Sequence, residues 1–119
     1  QGVERQSCLP KTAWPRLILM KELHNENTDL LFKAVLELKT IDECYKFFED
    51  LCTISELKSM SQRMEVAMML ADKCVYTDIA AKTGASTATI SRVNRCLNYG
   101  KDGYNLIIDR LKEKKNGEL

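Results

Sequence analysis

The sequence contains no run of about 18 apolar residues, so no membrane-spanning helix is expected. A single histidine, His24, is present, with no G-x-S-x-G, no phosphate-binding glycine pattern and no carboxylate pair in an apolar setting. The convergent groups that an enzyme needs are therefore missing, and catalysis is not expected. The five cysteines, Cys8, Cys44, Cys52, Cys74 and Cys96, are odd in number and far apart, without the close pairs of a structural zinc site. They are expected as small buried hydrophobes in a reduced cytoplasmic compartment, and no metal or other cofactor is expected. At 119 residues and 45% hydrophobic, the chain can bury one small core.

What is present begins with a change of texture. Residues 1–19 hold both prolines, Pro10 and Pro15, and the lone Trp14, with no sustained period; they read as a disordered arm or non-native upstream extension. From Met20 the pattern is helical, and a single domain is expected over residues 20–119. The charge is divided along it. Met20 to Cys74 carries 7 Lys and Arg against 11 Asp and Glu, net −4, whereas Val75 to Lys115 carries 8 against 4, net +4. A local positive field of this kind suits phosphate better than a high overall pI does.

Leu31, Ala34, Val35 and Leu38 fall at i, i+3, i+4 and i+7, one face of an amphipathic helix that Asn27 or Thr28 would cap. Thr40-Ile41-Asp42-Glu43 and Thr53-Ile54-Ser55-Glu56 are two capping boxes that open the second and third helices. Ile41, Cys44, Tyr45, Phe48, Leu51 and Cys52 form the apolar face of the second; Leu57, Met60, Met64, Ala67, Met68 and Ala71 form that of the third. Three such helices in close succession cannot cover one another's faces. Large apolar patches mark interfaces, so a homodimer with interleaved helices is expected rather than a compact monomer.

The stretch from Tyr76 to Asn98 has the spacing of a helix-turn-helix. Ile79 and Ala80 lie on a short helix, Gly84 makes the corner, and Ile90, Val93 and Leu97 anchor a second helix that Ser86 can cap. Thr87, Ala88, Thr89, Ser91, Arg92 and Arg95 are left for its other faces. Four hydroxylic residues at Ser86, Thr87, Thr89 and Ser91 suit a helix interior poorly but suit a groove of double-stranded DNA well. Thr87, Ala88 and Thr89 are expected at base edges; Ser86, Ser91 and Lys82 at phosphates; Arg92 and Arg95 can serve either. A two-fold dimer would present two such helices to successive major grooves, about 34 Å apart. The rival expectation is a helical protein-interaction module that binds no specific DNA. After Gly100 a last helix is expected from Tyr104 to Lys115, with Leu106, Ile107 and Leu111 inward.

Thr53-Ile54-Ser55-Glu56, Gln62-Arg63-Met64-Glu65-Val66-Ala67 and above all the block from Gly84 to Gly100 resemble the Trp repressor superfamily, most of all its YerC/YecD branch. The resemblance spans residues 27–115. It implies an all-α, intertwined Trp-repressor-like homodimer of about six helices that binds DNA as a transcriptional repressor, with native chains beginning near Met20. It also implies where an effector would bind: Arg63 and Arg92 match the two arginines that enclose the indole in the Trp repressor proper, and Thr53 matches a pocket threonine. Two positions depart from that pattern. Val93 stands where the repressor has glycine, adding volume where the ring would lie, and Cys96 stands where a serine helps hold the amino group, a thiol being a poor acceptor for ammonium. Tryptophan is therefore not expected to bind, and no other effector is indicated. Val93 would serve instead as a core residue holding the two helices together without a ligand.

Overall fold

The computed structural model describes residues 22–117, and among them it contains six α-helices and no strand. The arm expected over residues 1–19 lies outside the described residues. The helices are α1 (Glu26–Leu36), α2 (Ile41–Leu51), α3 (Ile54–Ala71), α4 (Tyr76–Thr83), α5 (Thr87–Tyr99) and α6 (Gly103–Gly117). The chain divides into two compact units, Gln1–Phe47 and Phe48–Leu119, with the boundary inside α2.

In the first unit, α1 starts two residues before the sequence pattern suggests. Its cap is Asn25, whose side chain accepts the Thr28 N–H at 2.9 Å, rather than Asn27 or Thr28. The start of α2 is satisfied by both members of its capping pair, but not reciprocally: Thr40 Oγ1 accepts from Glu43 N–H at 3.1 Å, while the Glu43 carboxylate reaches past Thr40 to the Lys39 N–H at 2.9 Å. Neither α1 nor α2 has a buried residue. Leu30, Phe32, Leu36, Ile41 and Tyr45 are all exposed.

The second unit closes a core. Its long helix α3 opens with a complete capping box: Thr53 Oγ1 accepts from Glu56 N–H at 3.0 Å and Glu56 returns a carboxylate oxygen to Thr53 N–H at 2.8 Å. Helix α3 packs against α4, α5 and α6, α4 against α5, and α5 against α6. Val66 and Ala67 of α3, Ile79 of α4, Ala85 at the corner, Ile90 and Val93 of α5 and Ile108 of α6 form the centre. Met64, Met68, Met69, Leu70, Leu97 and Tyr104 surround it. Ile79, Ile90, Val66 and Val93 are its largest fully buried side chains, and each contributes about 1.5–3 kcal/mol by leaving water.

Helix α3 ends in a Schellman arrangement, with Lys73 N–H bonded to Leu70 O and Cys74 N–H to Met69 O, both at 3.0 Å. At the other end of the unit, α6 is turned differently from the expected stripe. Ile108 is buried, whereas Leu106, Ile107 and Leu111 are exposed. The rotation is fixed by Asn105, whose Nδ2 donates to Leu97 O at 2.9 Å, and by Tyr104, which packs on the core one turn before Ile108. Lys112 and Asp72, 3.2 Å apart, tie α6 to the end of α3 on the surface, where such a pair contributes little.

The cysteines also depart from expectation. Cys44 and Cys96 are exposed, Cys52 and Cys74 half-buried, and all four are free thiols. Cys44 lies on α2, none of whose residues is buried, and Cys96 is exposed on α5 one turn after Val93. Their sequence positions are apolar by pattern, but the pattern does not say which faces one chain covers.

Candidate nucleic-acid interface

Helices α4 and α5 and the three residues between them form the site. Gly84 closes α4 with φ +75, the left-handed region, and donates its N–H to Ala80 O at 2.9 Å. A Cβ there would meet no atom within 4 Å, so it is the backbone angle and not crowding that calls for glycine. Two residues later Ser86 caps α5: its hydroxyl accepts from Thr89 N–H at 3.1 Å and donates to Thr89 Oγ1 at 3.1 Å. The cap takes up the Thr89 N–H and leaves those of Thr87 and Ala88 at the positive end of the helix dipole. Helix α5 ends at Gly100, where a side chain would strike the Cys96 carbonyl oxygen that Gly100 N–H itself bonds.

The side chains named from the sequence fall in two groups. Thr87, Ala88, Ser91, Arg92 and Arg95 are exposed on α5, and Lys82 is exposed in the last turn of α4, so these six share the solvent side of the motif. Thr89 is half-buried, drawn to the cap by its bonds to Ser86, and Ser86 has both its hydroxyl proton and one lone pair engaged. Ile90 and Val93 face the core from the opposite side of the same helix. No acidic residue occurs anywhere in α5. None of Lys82, Arg92 and Arg95 is paired with a carboxylate among the described residues, so their charge is presented to solvent. Asn98 is exposed and bonds back to Asn94 O at 3.0 Å, which turns its amide along the helix.

The five effector positions are distributed differently. Val93 is 1% exposed and sits in the cluster with Val66 and Ala67 of α3. Arg92 and Cys96 lie exposed on α5, Arg63 is half-buried on α3, and the Thr53 hydroxyl is committed to its capping box. A groove of about 770 Å³ does run along α3, but of these five residues only Thr53 lines it, together with Leu57, Lys58, Gln62, Glu65 and Thr83. Gln62, named from the sequence only within its block of resemblance, and Thr83, which sequence reasoning passed over, meet there: Gln62 Nε2 donates to Thr83 O at 3.2 Å. They lie twenty-one positions apart, and no local pattern links them.

No described helix is long and apolar enough to cross a membrane. Among the described residues no three His, Cys, Asp or Glu side chains gather to hold a metal ion.

The family model described as Trp repressor protein matches residues 26–112. The uncharacterised protein YerC of Bacillus subtilis (strain 168) is 55% identical over 92 residues, which are 77% of this chain and 88% of that protein. The crystal structure of a TrpR-like protein from Eubacterium eligens ATCC 27750 superposes with a TM-score of 0.75 at 59% identity, covering 77% of this chain and 95% of that one. A candidate Trp repressor from Staphylococcus aureus gives a TM-score of 0.75 at 47% identity, over 78% and 93% of the two chains.

Proposed function

The chain belongs to the Trp repressor family, and from that premise we propose that it is a sequence-specific transcriptional repressor of the cytoplasm that binds double-stranded DNA as an intertwined homodimer. One observation carries the reading: α5, a helix without acidic residues, presents a capped N-terminal end, small or hydroxylic Thr87, Ala88 and Ser91, and Arg92 and Arg95 with no ion pair among the described residues. Thr87 and Ala88 are short enough to let the helix approach a major groove, where hydroxyl and methyl contacts read base edges. Lys82, Ser91 and the N–H groups of Thr87 and Ala88 suit phosphates, which fix register. Thr89 and Ser86, tied to each other, contribute chiefly by holding the end of the helix in shape. Arg92 and Arg95 are long enough to reach either a base edge or a phosphate.

The reading does not extend to tryptophan as effector. Val93, at the position matching the glycine of the Trp repressor proper, is buried with Val66 and Ala67 of α3, and titration calorimetry with tryptophan is expected to give no micromolar binding. The exposed apolar side chains of α1 and α2 are assigned to the second copy, since a two-fold dimer both covers them and pairs the α5 helices.

Retention of DNA selected from a random pool tests the proposal. Binding should weaken steeply as salt rises, through release of counterions, and Arg92→Ala should lower specific affinity about 10- to 100-fold, the range of one good base or phosphate contact. A wild-type chain that retains no DNA at low salt, yet binds another protein through α1 and α2, would establish the interaction module instead.

A further inference from the structure

Three hydrogen bonds converge on Thr83, the last residue of α4. Its carbonyl accepts from Gln62 Nε2 of α3 at 3.2 Å. Its hydroxyl donates to Ile79 O at 2.7 Å, one turn back in α4, and accepts from the Ala85 N–H at 3.1 Å, across the glycine corner. All three are partly buried. One side chain thus joins the helix before the corner to the residue after it, and its backbone joins both to the long helix.

The core around this point is made of apolar contacts among Val66, Ala67, Ile79, Ala85, Ile90 and Val93. Such contacts resist separation of the helices but are non-directional, so they favour burial without themselves specifying one angle of α5 on α3. Hydrogen bonds are directional: they weaken steeply once bent. Ala85 is 5% exposed, and without the Thr83 hydroxyl its N–H would lose its partner in a nearly dry place.

We propose that Gln62 and Thr83 are positioning residues: the Gln62–Thr83–Ala85 strut fixes the corner on α3 and, through the corner, the inclination of α5, which begins two residues after Ala85. The proposal deepens the DNA-binding reading and rests on it for its purpose, although the strut itself can be measured without DNA. Val93, buried with Val66 and Ala67, packs the interior of the same junction, and the strut adds a directional contact at its edge. Both residues line the groove along α3, so the Gln62–Thr83 bond is accessible from solvent at one edge.

The test uses the full chain with Thr83→Ser, Thr83→Val and Gln62→Leu. Residual dipolar couplings of the backbone amides report the orientation of α5 relative to α3, and competition between a selected site and random DNA reports selectivity. In the wild type and in Thr83→Ser, which keeps the hydroxyl, the couplings of both helices should fit one rigid orientation. In Thr83→Val and Gln62→Leu the α5 couplings should shrink relative to those of α3 while amide shifts remain those of folded helices, and selectivity should fall about tenfold at most, with affinity for random DNA unchanged. Gln62→Leu lies outside the corner and keeps the measurement possible if Thr83→Val fails to fold. Unchanged α5 couplings in Gln62→Leu would overturn the strut. Couplings that respond in a chain whose wild type retains no DNA would support the strut and overturn the DNA-binding reading.

Discussion

The amino-terminal helices and the carboxy-terminal four solve the same problem of apolar surface in opposite ways. In α3–α6, Ile79, Ile90, Val66 and Val93 disappear from solvent within one chain. In α1 and α2 not one side chain is buried, and Leu36 is 81% exposed. Both regions are amphipathic by sequence, so hydrophobic spacing does not separate them. What separates them is the number of neighbours: α3 has three helices packed on it, whereas Ile41 and Tyr45 stay exposed among the described residues. A region that is self-sufficient carries the proposed reading head, and the region that is not is the one proposed to recruit a second copy.

The contrast breaks most readily at Leu36. In a single chain Leu36→Asp alters an exposed position and should change stability by less than about 0.5 kcal/mol. In the proposed dimer it places an unpaired carboxylate in an apolar interface, at a cost of several kcal/mol. Sedimentation equilibrium should therefore find a wild-type dimer at tens of micromolar and a monomer for the variant. A wild-type monomer at that concentration would remove the distinction between the regions and with it the paired α5 helices.

The complementary change lies in the closed core. Ile79→Ala leaves a cavity among Val66, Ala85, Ile90 and Val93, and should cost about 2–4 kcal/mol in urea unfolding. Because α1 and α2 contribute nothing to that core, the loss should be the same at low and high protein concentration once the dimer term is subtracted. A cost that instead grew with dilution would mean that the two regions fold as one unit, and the comparison would need to be redrawn.

How far each region could be read from sequence follows from how local its determinants are. Gly84, Ser86, Ile90 and Val93 were legible because a left-handed corner, a cap and a one-turn spacing are each decided within a few residues. The start of α1 was not, because Asn25, Asn27 and Thr28 can all cap and only the helix register chooses among them. The inward face of α6 was misjudged for a related reason. Leu106, Ile107, Ile108 and Leu111 admit two apolar stripes, and the choice is made by Asn105 gripping Leu97 O, a contact between helices. The bond between Gln62 and Thr83 was invisible, since it joins distant positions and both residue types are ordinary where they stand. In the candidate interface, the exposed Arg92 and Arg95 followed directly from helical spacing, but the withdrawal of Thr89 toward Ser86 depended on which hydroxyl takes the cap.

The smallest expected effect sharpens the comparison at the hinge where α3 gives way to α4. Lys73 holds φ +67, a left-handed conformation, at the position of a Schellman motif that glycine usually occupies. The motif is otherwise complete, with the Leu70 and Met69 carbonyls both satisfied. A side chain with a Cβ is strained there, while glycine adopts the angle freely but loses more entropy on folding. The strain is the larger of the two, so Lys73→Gly should stabilise the carboxy-terminal unit by about 0.5–1 kcal/mol. Lys73 forms no ion pair among the described residues that would be lost. Urea unfolding should show a higher midpoint with an unchanged slope, and sedimentation should show the same association as the wild type, because the change acts inside the unit that closes its own core. If Lys73→Gly altered association instead, the end of α3 would belong to the uncovered surface, and the line between self-sufficient and dependent regions would run through α3 rather than before it.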